Sequence, residues 1–434
     1  MSPSVPPVVP HDPYAALRLP DFRRYVTARA LFSVATQIQG VVVSWQIFKL
    51  TNDPLALGLI GLAEAIPSIT VSLYAGHVAD SVRRKRIVVP AVIVLVLCAV
   101  TLWWLAHPLQ QLLLERGRIN LTAFHATVVW PLYLVIFVSG IARGFLSPAL
   151  FAFMPQLLPD RSFLPNAITW NSTTWQASAV LGPAIGGLLL VNLSIEFAYG
   201  VDTVLEGLAL LLFISIASRE LPPIEGERLS LGESITSGIK FIFSNQLVLA
   251  ALSLDMFAVL FGGAVALLPF FAANVLKAGP SAFGYLRAAP AVGSVLMAIF
   301  LTFSPLRRGA GRKMLWAVAG FGAATVAFAL STNLYLSLFM LFLTGVFDSV
   351  SVIVRSTLVH TYTPEYMKGR VSAVNSIFIG SSNEIGSFES GTAAKLIGTV
   401  PSVVFGGVMT MAIVAFTAWR ADQLRTLEMG ASKK

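Results

Sequence analysis

Pro54-Leu55-Ala56-Leu57-Gly58 returns 226 positions later as Pro280-Ser281-Ala282-Phe283-Gly284. The echo continues in order. Gly140 returns as Gly345 and Pro159-Asp160 as Pro364-Glu365, 205 positions on. Asn171-Ser172 and Gly187 return as Asn375-Ser376 and Gly391, 204 positions on. Each match is two or three common residues, so their shared order carries the information. The drop in offset has a local cause: a polar stretch near 107–127 shrinks to Thr332-Asn333 in the second copy. The chain reads as two similar halves.

Both halves are apolar. Of 434 residues, 56% are hydrophobic and 12% charged, and the mean hydropathy is +0.77. Soluble domains carry about 25% charge, so this composition implies a chain that passes repeatedly through a membrane. A bilayer core of about 30 Å takes roughly 20 apolar residues per helix. Such runs fall near 26–50, 55–79, 87–106, 128–152, 166–192 and 196–217. A second set falls near 246–274, 281–304, 313–331, 334–359, 371–396 and 400–420. The expected fold is an all-α membrane protein with twelve transmembrane helices in two pseudo-symmetric six-helix bundles. The expected division is a cytoplasmic tail 1–25, a bundle 26–217, a linker 218–245, a bundle 246–421 and a tail 422–434. Barrel strands are excluded because barrel segments are short and alternate in polarity.

Met1 to Pro20 has no charged start followed by an apolar run, so it is not a secretory signal and is expected to stay inside. With that orientation, 21 Lys and Arg fall in inside segments and four in outside ones. The outside four are Lys49, Arg116, Arg118 and Lys277; five more, Arg29, Arg143, Arg287, Arg355 and Lys395, fall within spans. This is the positive-inside bias, and it accounts for the net charge of +9 without a nucleic-acid partner. In the linker, Leu231, Ile235, Ile239 and Ile242 recur at helical spacing. They predict a short amphipathic helix lying on the inner membrane surface or packed on the protein. The single cysteine, Cys98, allows no disulfide within the chain.

Two motifs stand out. After the second span comes Gly76-His77-Val78-Ala79-Asp80-Ser81-Val82-Arg83-Arg84-Lys85-Arg86. In the fifth span lies Ser178-Ala179-Val180-Leu181-Gly182-Pro183-Ala184-Ile185-Gly186-Gly187. Small residues let a neighbouring helix approach closely, and Pro183 removes a helix hydrogen bond. With twelve spans in two halves, these motifs resemble those of the major facilitator superfamily. Asp21-Phe22-Arg23-Arg24, Leu50 through Gly58, Pro155 through Pro159, Asn166-Ala167 and Thr363-Pro364-Glu365 with Lys368-Gly369-Arg370-Val371 refine the likeness. They are similar to the bacterial efflux branch that includes enterobactin exporters and macrolide efflux pumps.

The resemblance implies a conformational latch at Gly76, Asp80, Arg84, Lys85 and Arg86, and an exporter motif at Gly182, Pro183, Gly186 and Gly187. Ser81 and Arg83 depart from the latch pattern, which has a basic residue and a glycine there. The first glycine of the exporter pattern is Ser178. Members of that branch often carry an acid in the first helix. Here its polar set is Ser33, Thr36, Gln37, Gln39 and Gln46, so coupling through that position is not carried over.

Ionisable groups in spans cost about 2.5–3.5 kcal/mol on insertion scales and are therefore paired or functional. Glu64, Arg143, Asp255, Asp348 and Glu384 fall near span centres. Arg143 and Asp348 occupy matching positions of the halves and are expected to face each other across a central cavity. Proton coupling needs a carboxylate that can load near neutral pH; the candidates are Asp348, Glu384, Glu64 and Asp255. Candidates for substrate binding or gating are Arg143, Gln37, Trp170, Asn171, Trp175, Asn375 and Asn383. Asp202 and Glu206, one turn apart in the sixth span, are read as structural or as facing a water pocket. Arg29 and Arg287, near span ends, are read as snorkelling to the interface. The eleventh span, with Ser372, Asn375, Ser376, Asn383, Glu384, Ser387 and Glu389, is too polar to face lipid.

No Walker loop, Gly-x-Ser-x-Gly elbow or metal-spaced His/Cys cluster occurs. The expected protein is not an enzyme and uses no cofactor or metal. It is a secondary transporter of the bacterial cytoplasmic membrane, with both termini inside, exporting a siderophore or amphiphilic drug-like molecule in exchange for protons. Its partners are a small-molecule substrate, protons and the bilayer; it binds no nucleic acid and is monomeric. A facilitator or importer of the same fold, or a non-transporting receptor, are the alternatives.

Overall fold

The computed structural model describes residues 12–114, 121–217, 231–304, 309–364 and 367–425. Among these no strand occurs. The first six long helices are α1 Pro20–Thr51, α2 Pro54–Ser81, α3 Lys85–Leu114, α4 Leu121–Phe153, α5 Leu164–Asn192 and α6 Ile195–Ser215. A shorter α7, Leu231–Ser244, precedes α8, Gln246–Gly262, and the three-residue α9, Leu268–Phe270. Then follow α10 Gly279–Phe303, α11 Ala310–Leu330, α12 Leu334–Tyr362, α13 Lys368–Ile397, α14 Thr399–Arg420 and the short α15, Asp422–Arg425.

The repeated prolines start helices. Asn52 closes α1 in the left-handed region (φ 49), and Asp53 caps α2 by accepting from Leu55 N at 3.0 Å, with Pro54 in the first turn. Proline suits that place because its missing N–H would have no partner in the first turn. Pro280 does the same for α10, after Gly279 at φ 75. Ser194, Asn245 and Asn333 cap α6, α8 and α12.

Eleven stretches are long and apolar enough to cross a membrane. Helix α13 is as long, at 30 residues, but its Ser, Asn and Glu content keeps it out of that set. The seventh stretch is not the continuous span that its composition predicts. Helix α8 stops at Gly262, and the chain continues through a 3-10 turn, Ala264–Leu267, then α9 and a π turn, Phe271–Val275. The break lies where Gly406 approaches the Phe261 carbonyl. Ser390 of α13 donates to the Gly263 carbonyl at 3.2 Å, satisfying a group the broken helix leaves open.

Helices α1–α6 pack among themselves, as do α8 and α10–α14; the two groups meet mainly along α2 against α13 and α5 against α10. Both seams close on glycine. A Cβ on Gly391 would stand 2.7 Å from the Gly58 Cα, and one on Gly187 would stand 2.7 Å from the Gly284 Cα. The backbones touch because neither partner has a side chain.

The cores show the consequence. One apolar core, with Trp45, Phe48, Leu57, Phe271, Phe283 and Phe328, draws on both groups at the end where α2 begins. Trp45 stacks on Phe283, Asn274 donates to Asn52 at 3.3 Å, and Lys395 reaches Asp53 at 2.6 Å. Toward the other end each group keeps cores of its own, around Tyr25, Phe153 and Phe213 in the first and around Leu254, Met314 and Val374 in the second. The molecule is sealed across one end. Helix α7 packs on α13 and α8 through the buried Ile242, while Phe243 stays exposed, so its apolar face rests at least partly on the protein.

Candidate functional site

The seam of α2 and α13 leads down to charge. Glu64, two turns below Gly58, accepts from Arg143 of α4 at 2.5 Å. The same guanidinium donates from its other terminal nitrogen to Gln39 Oε1 of α1 at 2.9 Å. Gln39 in turn donates to Asp202 of α6 at 3.0 Å. The approach of α4 to α2 depends on Gly140, where a Cβ would meet the Glu64 carbonyl at 2.8 Å. Arg143 and Glu64 are partly exposed, at 22% and 27%, whereas Gln39 and Asp202 are buried.

The second group adds one charge of each sign. Glu384 of α13 lies against Gly61, with Oε2 3.1 Å from where a Cβ there would stand, within the field of Glu64, Arg143 and Arg287. Arg287 of α10 donates to the Gly40 carbonyl of α1 at 3.3 Å. The expectation that Arg287 snorkels to the interface is therefore corrected: it crosses between the groups, where Gly40 leaves room for its guanidinium. Its signal in the sequence was Gly40 itself, the one glycine of α1. Two Arg and two Glu thus converge where α1, α2 and α4 meet α10 and α13.

Asp348 does not face Arg143. It lines a small cavity with Asp255, Phe321, Phe347 and Ser351 inside the second group. There Asp255 is ion-paired to Arg355 and accepts from Ser351 at 3.3 Å. Matching positions in the two halves give matching depth, but rotation about each helix axis decides the partner.

The remaining candidates divide. Gln37 lies against Gly182, and Gly186 against Val41, so those two glycines seat α5 on α1; Gly187, at the next position, serves the seam with α10. Pro183 is buried in α5. Asn171 and Asn375, the repeat-related pair, each carry a buried Oδ1 with no partner among the described residues. Trp175 is exposed. Asn383 turns back to its own helix, donating to Ile379 O at 2.9 Å. Trp170 donates to the Pro13 carbonyl at 3.0 Å and packs on Tyr14, so it holds the chain entering α1. Lys85 donates to the carbonyls of Ile214 and Ile216 at 2.6 and 2.5 Å, capping the end of α6 where cations are favoured. Arg84 is buried and Arg86 exposed. The surroundings of Gly76 and the side chain of Asp80 lie outside the described residues.

Comparison with known proteins agrees with this architecture. The family model described as "Transmembrane secretion effector" matches residues 11–433. The chain is 27% identical over 365 residues to the enterobactin exporter of Shigella boydii serotype 18, covering 82% of this chain and 80% of that one. It is equally similar to the enterobactin exporter of Escherichia coli O81. Among solved structures, a bacterial homologue of the lysosomal transporter Spinster, in an inward-facing and unoccupied conformation, superposes with a TM-score of 0.68. Its identity is 14%, over 93% of this chain and 96% of that one. A D-xylose–proton symporter gives a TM-score of 0.66 at 13% identity, over 94% and 99%. Helices that span a membrane, a glycine-sealed end and converging charges beneath it belong together: the chain is a multi-pass membrane transport protein, not an enzyme, and belongs to the transmembrane secretion effector family of the major facilitator superfamily.

Proposed function

We propose that the protein is a proton-coupled exporter of a small amphiphilic molecule in the bacterial cytoplasmic membrane, working by alternating access. The observation that carries this reading is the Arg143–Glu64 pair, partly exposed beneath the sealed end and within reach of Glu384 and Arg287 from the other group. Ionisable side chains this deep in a membrane protein mark a substrate or ion pathway.

The moving parts are the bundles 26–217 and 246–421, joined by 218–245. Helix α13 is the eleventh span in chain order and brings the number to twelve, shielded from lipid by α2 and α8. The two glycine seams support a pseudo-twofold relation. Gly58 and Gly284 are repeat mates, Gly187 and Gly391 are repeat mates, and each seam joins one residue of either pair. With the basic residues inside, the sealed end faces outward and the space between bundles opens to the cytoplasm. A substrate would then enter from inside, as export requires.

The converging charges, the unpartnered Asn171 and Asn375 oxygens and the exposed Trp175 ring suit a ligand with both polar and aromatic parts. Relatives named as enterobactin exporters favour a siderophore-like compound over a simple ion. Glu64, Glu384, Asp348 and Asp255 are the carboxylates offered for the proton, each inward proton being worth about 2.3 kcal/mol per 100 mV. The latch set at Asp80 and Arg84 would govern the inner end, and the unit is a monomer.

Everted vesicles test the reading. Substrate should accumulate when a proton gradient is imposed and leak back when it is collapsed. Uptake indifferent to the gradient overturns proton coupling; accumulation only in right-side-out vesicles overturns export. Comparing the metabolites secreted by a deletion strain and its parent identifies the substrate.

A further inference from the structure

Helix α6 carries buried charge for which the reading above has no use. Asp202 and Glu206 stand one turn apart, and both are 0% exposed. Asp202 Oδ2 accepts from Gln39. Asp202 Oδ1 and both oxygens of Glu206 have no hydrogen-bond partner among the described residues. The titratable and charged groups near them are few. Arg143 comes from α4 and the Cys98 thiol from α3. From α6 itself comes Tyr199, whose hydroxyl is spent on Gln46 Oε1 at 2.7 Å. Helix α1 contributes Gln39 and, through Tyr199, Gln46.

Charge counting makes the arrangement specific. Glu64, Asp202 and Glu206 are three carboxylates around one guanidinium, and in the structure that guanidinium is bonded to Glu64. With Arg143 bonded to the partly exposed Glu64, ionised Asp202 and Glu206 would be two negative charges in a low-dielectric interior with no cation bonded to either, a costly arrangement unless a proton or cation compensates it. A carboxyl whose two oxygens are both buried and unpartnered is the place for such a proton.

We propose that the Asp202–Glu206 pair takes up the coupling proton, and that Arg143 reports its loading to the cavity by choosing between this pair and Glu64. The inference rests on the proton-coupled reading and moves the proton site from the cavity into the wall of the first bundle. The present structure is the loaded arrangement: the pair holds a proton, Arg143 is released to Glu64, and Gln39 bridges them. When the proton leaves, the anion draws Arg143 past Gln39, and Glu64 is freed beside Glu384 at the seam between bundles. Only an O–H bond breaks and re-forms. The proton enters from one side and departs to the other, and the net charge of the pair is restored each cycle. Gln39 is a positioning residue, since it touches both the pair and the guanidinium.

The test uses full-length protein in lipid, comparing wild type with Glu206→Gln, Asp202→Asn, Gln39→Leu and Glu384→Gln. In pH-difference infrared spectra, the wild type should show a protonated-carboxyl C=O band that Glu206→Gln or Asp202→Asn removes and Glu384→Gln retains. Gln39→Leu should keep the band. A wild-type spectrum without the band, or a band that survives both α6 variants, overturns the proposal. In everted vesicles with ethidium supplied in the medium as probe, gradient-driven accumulation should fall at least roughly tenfold in Glu206→Gln and Gln39→Leu, while downhill movement without a gradient persists and Glu206→Asp recovers coupling. Unchanged gradient-driven movement in both variants overturns this inference and leaves the proton-coupled reading standing. Wild-type movement indifferent to the gradient overturns that reading instead, and the infrared band then decides alone whether the pair loads. Should Glu206→Gln fail to fold, Gln39→Leu carries the vesicle test with both carboxylates intact.

Discussion

The two halves hold buried charge in opposite ways. In the second, Arg355 and Asp255 are both 6% exposed and bonded to each other, with Ser351 donating to the same carboxylate and Asp348 lining the same small cavity. In the first, Arg143 has Glu64 in hand, Asp202 one residue away through Gln39, and Glu206 a turn further. A cation bonded to one carboxylate has one good arrangement, whereas a cation divided between one carboxylate and a bridge to another has two of comparable energy. Bistable elements of that kind convert a small local event into a change of state. On the proposed reading the second cluster braces and the first switches, although composition alone made them look alike.

The largest effect should come from removing the shared cation. Arg143→Met is expected to lower transport by roughly 100-fold or more. Arg143→Lys should not recover it, because one ammonium cannot replace two guanidinium nitrogens aimed at Glu64 and Gln39. Arg355→Met should instead act on stability. Breaking a buried pair by removing one partner costs about 3–5 kcal/mol, whereas replacing both by apolar residues of similar volume is often neutral. Thermal unfolding in detergent should therefore show a large loss for Arg355→Met and near-recovery in Arg355→Met/Asp255→Leu; transport recovering in parallel would remove Asp255 from the carboxylates offered for the proton. The corresponding double change at Arg143 and Glu64 should restore folding without transport. If the Arg355/Asp255 double variant folds but transports nothing, the second cluster is no brace and the contrast collapses.

Much of this was legible in the sequence, with a definite boundary. Helix positions follow from apolar runs, and Pro54, Pro280 and Asn333 mark helix starts through chemistry that is local. The polar α13 was readable as lining water or packed inside the bundle because of its Ser, Asn and Glu residues, and it packs on α2 and α8. Partners were not readable. Arg143 and Asp348 sit at matching depth, yet one turns to Glu64 and the other into a cavity with Asp255. Depth follows from counting at 1.5 Å per residue, but rotation about the axis is fixed by packing against other helices. The break at Gly262-Gly263 escaped for a related reason: hydropathy stays high across it, so the run reads as one span although Gly262-Gly263 and Pro269 weaken a helix there, and the approach of Gly406 to the Phe261 carbonyl goes with the break. Repeat glycines were visible as a pattern; that each would meet a glycine of the other half was not.

Those seams offer an effect of intermediate size. Valine at Gly187 would place a Cβ 2.7 Å from the Gly284 Cα, closer than real Cβ contacts, and backbone cannot rotate aside. The helices must part, so the sealed state loses population by about 10- to 100-fold. Spin labels at the exposed positions Leu193 and Lys277 should report a longer distance. The same distance in Gly187→Val and wild type would mean that the glycines are incidental to the seal.

The smallest expected effect lies at the rim of the same seal, and it tests whether exposure rather than charge sets the scale. Lys395 and Asp53 are 2.6 Å apart but 53% and 28% exposed. Water and ions screen such a pair, which leaves it about 0–1 kcal/mol, or at most roughly fivefold in the sealed population. Asp53 also caps α2, so the two roles must be separated. Asn is as good a cap as Asp; Asp53→Asn should therefore match Lys395→Met in its effect on the label distance, and both differences should vanish in high salt. Asp53→Ala should cost about 1 kcal/mol more, through the lost cap, and that part should persist in salt. A salt-resistant effect of Lys395→Met as large as that of Gly187→Val would place the rim pair with the buried clusters, and the ranking by exposure would fail.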